Sequence, residues 1–223
     1  DGGETWTEWE NGYPTASTYD MVIHPREHDL VIGTFGRSAW VLDDIRPLRT
    51  LAQNGTDELD QTINVYPAPD AYLASIREAA ATRFAGDAMF KGDNRPFGAR
   101  LTYSVAKLPS DTVSSDRSES GEADTAAVDS SKVTIEIFNK QGEQIRTLEE
   151  ELKHEGINRL TWRLREKGVR GPSRSELNKD APEPAGPEVL PGTYKIIFGY
   201  QGAKDSTMAT VHPDPRIDYD QDE

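Results

Sequence analysis

Three apolar bursts near the start of the chain are too short for helices and too well separated to merge. They are Met21-Val22-Ile23, Leu30-Val31-Ile32 and Ala39-Trp40-Val41-Leu42. The polar corner His24-Pro25-Arg26-Glu27-His28-Asp29 separates the first two. The small-residue break Gly33-Thr34-Phe35-Gly36 separates the second from the third. Short β-branched runs bounded by Pro, Gly and Asp predict strands joined by tight turns. Residues 1–50 are therefore expected to form one small antiparallel sheet, with no helix across residues 31–42. Its apolar set would be Met21, Ile23, Leu30, Ile32, Trp40 and Leu42. That set is larger than a lone sheet of three or four strands hides, and such a sheet is marginal in water.

The rest of the chain also favours strands. Arg46-Pro47-Leu48 ends the first sheet, and the polar stretch 51–88 is expected to be a linker. Within it Ile63–Tyr66 reads as a short strand, stopped by Pro67-Ala68-Pro69. Asp70 is a good N-cap, and Leu73, Ile76, Ala80 and Phe84 recur at helical spacing, which predicts a short helix over Ala71–Arg83. A second domain is expected over 89–215, built on alternating strands at Arg100–Ala106, Val133–Phe138, Gln144–Leu148, Gly156–Leu164, Lys195–Tyr200 and Ser206–Val211. Ile157, Leu160, Trp162 and Leu164 are its expected inward set on one strand, with Tyr194 in or near the core. Strands at this spacing suggest a sandwich of about seven. Pro109–Ser131 is almost free of large apolar residues and reads as a solvent loop, and Arg165–Val189 as a second one. An acidic tail, 216–223, closes the chain. The fold class is all-β, with one short linking helix.

Charge and composition exclude several partners. The chain carries 39 acidic and 25 basic residues, a formal net charge of −14. Nucleic acid and anionic membrane surfaces would repel it. No apolar run is long enough to span a membrane as a helix. There is no cysteine, so disulfide, zinc-thiolate and cysteine-nucleophile chemistry are unavailable.

The first residues, Asp1-Gly2-Gly3-Glu4-Thr5-Trp6, match the end of an Asp-box, Ser/Thr-x-Asp-x-Gly-x-Thr-Trp. The expected roles are local: a carboxylate at Asp1 accepting backbone N–H groups, an unusual dihedral at Gly3, Thr5 completing the turn, and Trp6 packing it against its sheet. The string VIHPREHDLVIGTFGR…WVLDD resembles the closing blade of bacterial sortilin-like (Vps10-type) BNR-repeat propeller proteins, often described as glycosyl hydrolases. Phe35 stands where that family usually carries His. Phe90–Ala99 is similar to the string that opens an immunoglobulin-like module after such propellers, with Arg95 in place of a Pro. The order IEIFNKQGEQIRTL, GINRLTWRL, LPGTYKIIF resembles the FlgD-type Ig-like module. The resemblance implies a last propeller blade over 1–50 followed by an Ig-like β-sandwich. It also implies an exported bacterial protein (periplasmic, cell-surface or extracellular) and Asp-box turns that serve structure. Since the chain opens inside a motif, it is expected to be the C-terminal part of a longer protein. Its partners would then be the preceding blades of the same chain and a protein or glycan ligand.

Residue chemistry points to no reaction. His24 and His28 flank one turn beside Glu27 and Asp29. A metal needs three or four ligands in defined geometry, so a solvated corner is favoured over a metal site. The carboxylates include no pair in an acid–nucleophile context, no Gly-x-Ser-x-Gly occurs, and no glycine-rich phosphate loop precedes a helix. No catalytic residue, metal or cofactor is therefore expected. Asp43-Asp44 is expected to cap a turn. The one candidate ligand contact is Arg37, in the family-like Gly-Thr-x-Gly-Arg turn, where a guanidinium meets a carboxylate or a sugar oxygen. The competing expectation is that Arg37 satisfies backbone carbonyls or Asp43. Three classes of function stay open: a structural and interaction module, part of a sialidase-like glycan hydrolase whose catalytic residues lie in upstream blades, and part of a sortilin-like peptide or protein receptor.

Overall fold

A computed structural model describes residues 3–9, 12–74, 95–108, 132–172, 174 and 181–218. The chain is all-β, with one α-helix among the described residues. It divides into two compact units, Asp1–Gly55 and Thr56–Glu223.

The first unit holds a three-stranded antiparallel sheet of β1 (Thr18–Ile23), β2 (Leu30–Thr34) and β3 (Ala39–Leu42), in that order. Its register pairs Met21 with Ile32 and Ile32 with Trp40, and Ile23 with Leu30 and Leu30 with Leu42. Residues paired across antiparallel strands share a face. The six apolar residues read from the sequence therefore lie together on one face. Val22, Val31 and Val41 line up on the other. No residue of β1, β2 or β3 is buried, and Met21 and Val22, neighbours on opposite faces, are 61% and 60% exposed. After β3 the chain forms α1 (Arg46–Asn54), where the sequence suggested the end of the sheet and a loop. Pro47 at the start of the helix has a fixed φ suited to the first turn and no N–H to lose there.

The second unit is a two-sheet sandwich. A five-stranded sheet runs β5 (Ala71–Tyr72), β13 (Ala203–His212), β12 (Gly192–Tyr200), β7 (Lys132–Phe138), β8 (Gln144–Glu151). A three-stranded sheet runs β4 (Asn64–Val65), β6 (Ala99–Val105), β9 (Gly156–Trp162). Alternation sets the core: Val133, Ile135 and Ile137 of β7 and Ile196 and Phe198 of β12 meet Leu101, Tyr103 and Val105 of β6. Tyr103 packs on Phe198 at 5.2 Å between ring centroids. Trp162 and Tyr194, both expected in the core, are buried and meet edge to face at 5.3 Å. Ile157 departs from its expected inward position. Its partner is Ser104, on the outer face, while Asn158 pairs with Tyr103 on the core side. The Asn158 amide nitrogen is satisfied there, donating to the His154 and Gly156 carbonyls at 3.0 Å each.

Residues 63–72 stitch one side of the sandwich closed. β4 pairs with β6 in one sheet, and β5 then pairs parallel with β13 in the other. The crossing is held by two polar residues at inward positions of β13. Asp205 accepts the Val65 N–H at 2.7 Å, and Thr207 accepts the Ala68 N–H at 3.3 Å. The helix expected over Ala71–Arg83 does not begin at Ala71. Ala71 and Tyr72 are strand, the Leu73 N–H donates to the His212 carbonyl at 2.9 Å, and Asp70 meets His212 Nε2 at 3.1 Å instead of capping a helix. Sheet pairing with β13 outweighs the local helical spacing here. Residues 75–83 of that expected helix and the expected loop 109–131 lie outside the described residues.

The loop expected over Arg165–Val189 contains a narrow ribbon of β10 (Arg165–Lys167) and β11 (Ala185–Glu188). Two glycines permit the close approach: a Cβ at Gly186 would lie 2.6 Å from the Lys167 carbonyl oxygen, and one at Gly168 would collide with the Ala185 carbonyl.

Replacing Trp162 with Ala is expected to destabilise the sandwich by about 3–5 kcal/mol, the usual cost of deleting a buried aromatic. Urea denaturation followed by tyrosine fluorescence or circular dichroism checks it.

Candidate functional site

The stretch that carries the motifs is held by local turns. At the N-terminal turn Gly3 has φ 92° and Trp6 Nε1 donates to the Gly3 carbonyl at 2.8 Å. Trp6 folds back over Gly3 and is 89% exposed, so it covers its own turn and does not pack into a sheet, as the sequence reading had it. Thr5 is exposed beside it, and Asp1 lies outside the described residues.

The corner His24–Asp29 is a built turn. The His24 N–H donates to the Asp29 carbonyl, the His28 N–H donates to the His24 carbonyl, and the Glu27 N–H donates to His24 Nδ1 at 3.1 Å. An Arg49 Nη1 donor lies 3.0 Å from His28 Nδ1. A guanidinium only donates, so this ring nitrogen accepts. Both imidazoles thus use Nδ1 as an acceptor within the fold. Among the described residues no group of three or more His, Asp or Glu side chains is placed to hold a metal ion. Asp44 performs the turn role expected of Asp43-Asp44. It is 2% exposed at φ 47°, its N–H donates to Asp29 Oδ1 at 2.8 Å, and its own carboxylate accepts Arg46 Nε at 2.5 Å.

Arg37 lies on the exposed β2–β3 turn, whose reversal uses two left-handed residues, Gly36 at φ 73° and Ser38 at φ 67°. The Arg37 carbonyl accepts Trp40 Nε1 at 2.8 Å. Its guanidinium has no hydrogen bond or ion pair among the described residues, so the expected pairing with Asp43 is not formed. Phe35 beside it is 71% exposed and stacks on Tyr19 at 5.5 Å.

In the second unit a groove of about 840 Å³ lies where β8 and β9 edge the two sheets. Ile135, Leu148 and Leu160 give it an apolar floor, and Arg146, Glu150 and Glu183 give it charge. Arg146 pairs with Ile137, so it sits at a core-facing position of β8. There it is fully employed. Its guanidinium donates to the Glu166 carbonyl at 3.1 Å, the Pro184 carbonyl at 2.6 Å and the Glu183 carbonyl at 2.9 Å. Glu183 completes the clamp, accepting the Thr147 N–H at 2.9 Å and pairing with Lys167 at 2.9 Å. Burial pushes the Glu183 carboxyl up. Hydrogen bonds from Lys167 and the Thr147 amide outweigh that, helped by the Lys167 and Arg146 charges, and hold it below the usual carboxylate range. Across the core, burial, with the Glu150 charge adding to it, pushes the Tyr103 hydroxyl up to about 12. The described residues that line the groove include no histidine and no serine. Its polar groups pin the β10–β11 ribbon against β8.

Sequence reasoning missed Arg146, Glu183 and Asp205. For Arg146 and Asp205 the signal was present in alternation, which put a charged residue where the period of two demanded an apolar one; Glu183 precedes β11 and no strand pattern marks it.

No family model, curated protein or solved structure matches this chain.

Two outcomes follow from the clamp and from the chain's C-terminal turn. Arg146→Met, which strips the donor from three carbonyls, is expected to lower stability by about 2–4 kcal/mol in urea titrations. Arg146→Lys restores little, because one ammonium cannot span both sides of the ribbon. Separately, the hydrogen bonds and charge of Arg216 hold the Asp214 carboxyl at about 2. A carboxyl lowered on folding adds stability above its ordinary range near 4, and that contribution fades as pH falls toward 2. In Arg216→Ala the Asp214 titration, followed by carboxyl NMR shifts, is expected to move back up toward the ordinary value.

Proposed function

We propose that this chain is a non-catalytic structural and interaction module. In this reading Asp1–Gly55 contributes the closing blade of an exported bacterial, sortilin-like BNR-repeat propeller protein. Thr56–Glu223 is then the immunoglobulin-like sandwich that follows the blade. The observation that supports it best is the first sheet, apolar on both faces and with no buried residue in its strands. A sheet at the surface of a domain keeps one polar face toward water, whereas one covered on both sides is apolar on both. Met21, Ile32 and Trp40 on one side and Val22, Val31 and Val41 on the other ask for two covers. A propeller supplies them, since each blade packs its faces on the blades before and after it. Family resemblance supports the propeller context and the export. Arg146 and Glu183, committed to backbone groups of the ribbon and of β8, support a structural role for the groove. Arg37, exposed beside the Tyr19–Phe35 stack, is the residue assigned to meet a carboxylate or a sugar oxygen of a ligand.

The whole chain is expected to bind the dye ANS and to self-associate more strongly than Thr56–Glu223 alone. The triple variant Val22→Thr, Val31→Thr, Val41→Thr is expected to reduce both while leaving the urea transition of the sandwich in place. A monomeric whole chain with no more dye binding than Thr56–Glu223 would refute the blade reading.

A further inference from the structure

We infer that Asn54–Gly55 is a site of spontaneous chemical modification, gated by unwinding of the last turn of α1. Asn54 is the final residue of α1 and is exposed. Gly55 follows at φ 90° with open space where a side chain would stand, so it adds no side chain beside the Asn54 carboxamide. In the closed helix that nitrogen is occupied, its N–H donating to the Leu51 carbonyl at 2.9 Å. Attack on the Asn54 carboxamide requires that hydrogen bond to break and the Asn54 backbone to leave the helical region.

The helix is weakly defended against such opening. Its N-cap position is Ile45, which gives no side-chain hydrogen bond. At the start the Asp44 carboxylate, just ahead of the helix, accepts the Arg46 N–H at 3.3 Å, but the last turn holds no basic residue, so the C-terminal end is not matched to the helix dipole. Nine residues are also fewer than an isolated helix needs in water. Helix ends fray first, and local opening there carries little free-energy cost.

Once the turn opens, the Gly55 nitrogen gives up its proton to base and attacks Asn54 Cγ. A carbon–nitrogen bond forms and closes a five-membered succinimide. The carboxamide carbon–nitrogen bond breaks, and the departing nitrogen takes a proton and leaves as ammonia. Water then adds to either ring carbonyl and opens it. The sum is one amide plus one water giving one carboxylic acid plus one ammonia, with nothing oxidised or reduced. Opening at one carbonyl leaves aspartate at position 54. Opening at the other leaves iso-aspartate, in which the main chain runs through the former side chain and gains a methylene. This change falls at the boundary between the two compact units. Either product places a negative charge at the C-terminus of α1, where the dipole disfavours it, so modification favours further unwinding.

The test is incubation of the whole chain at mildly alkaline pH in oxygen-18 water, followed by peptide mass mapping. Aspartate and iso-aspartate carrying the heavy oxygen are expected to accumulate at position 54 in the folded chain, more slowly than in urea. Gln53→Arg puts a cation into the last turn at an exposed position. It is expected to slow the folded-state rate about two- to fivefold relative to its own rate in urea, as a helix-dipole contact of ordinary strength would. Asn54→Gln is expected to abolish the products. The inference is overturned if position 54 stays intact in the folded chain after the urea sample has converted. It is also overturned if folded and urea rates coincide, or if Gln53→Arg leaves their ratio unchanged.

Discussion

Every apolar face of a β-sheet needs something laid over it, and the two units of this chain meet that demand differently. In the sandwich the demand is met internally. The inward residues of β7 and β12 cover those of β6 and β9, and Leu101, Val105, Ile135, Ile196 and Phe198 are fully buried as a result. Burial of this kind, at roughly 25 cal/mol per Å² of apolar surface, is the main force available to offset the ordering of the chain. The first sheet has the same kind of side chains in good register and no buried residue in any of its strands.

Polar residues decide how the sandwich is bounded. On one side Asp205 and Thr207 receive the backbone of the crossing segment as it passes from β4 to β5. On the other Arg146 and Glu183 hold the β10–β11 ribbon against the edge strand β8. Arg146, Asp205 and Thr207 occupy strand positions that alternation assigns to the core, and all four residues meet backbone groups that would otherwise lose water without gaining a partner. Beyond them β8 continues as Glu149-Glu150-Glu151, and a charged edge strand resists pairing with other chains.

Much of this was legible in the sequence because the strands are short, β-branched and sharply punctuated. The apolar set of the first sheet, the burial of Trp162 and Tyr194, and the turn role of Asp44 all follow from period and turn chemistry. What failed did so where tertiary contacts outweighed local preference. Ala71–Tyr72 sits before helically spaced residues, yet it is strand because β13 offers a free edge. Ile157 faces outward because the pairing of β9 with β6 starts one residue out of step with the apolar pattern. The ribbon of β10 and β11 looked like a Pro- and Gly-rich loop. Its glycines are what let two backbones approach, a reason visible only once the strands are side by side. For the candidate site, the turn that bears Arg37 was readable from its glycines, whereas the clamp around Arg146 depends on three carbonyls that no local pattern links.

The central claim is that the first sheet depends on covers it does not itself supply. Native-state hydrogen exchange of the whole chain, resolved by residue, tests it most directly. Low protection is predicted for the paired amides of β1, β2 and β3, far below that of β7 and β12, because a sheet without a buried face opens at little cost. Protection of the first sheet equal to that of the sandwich core would contradict the claim.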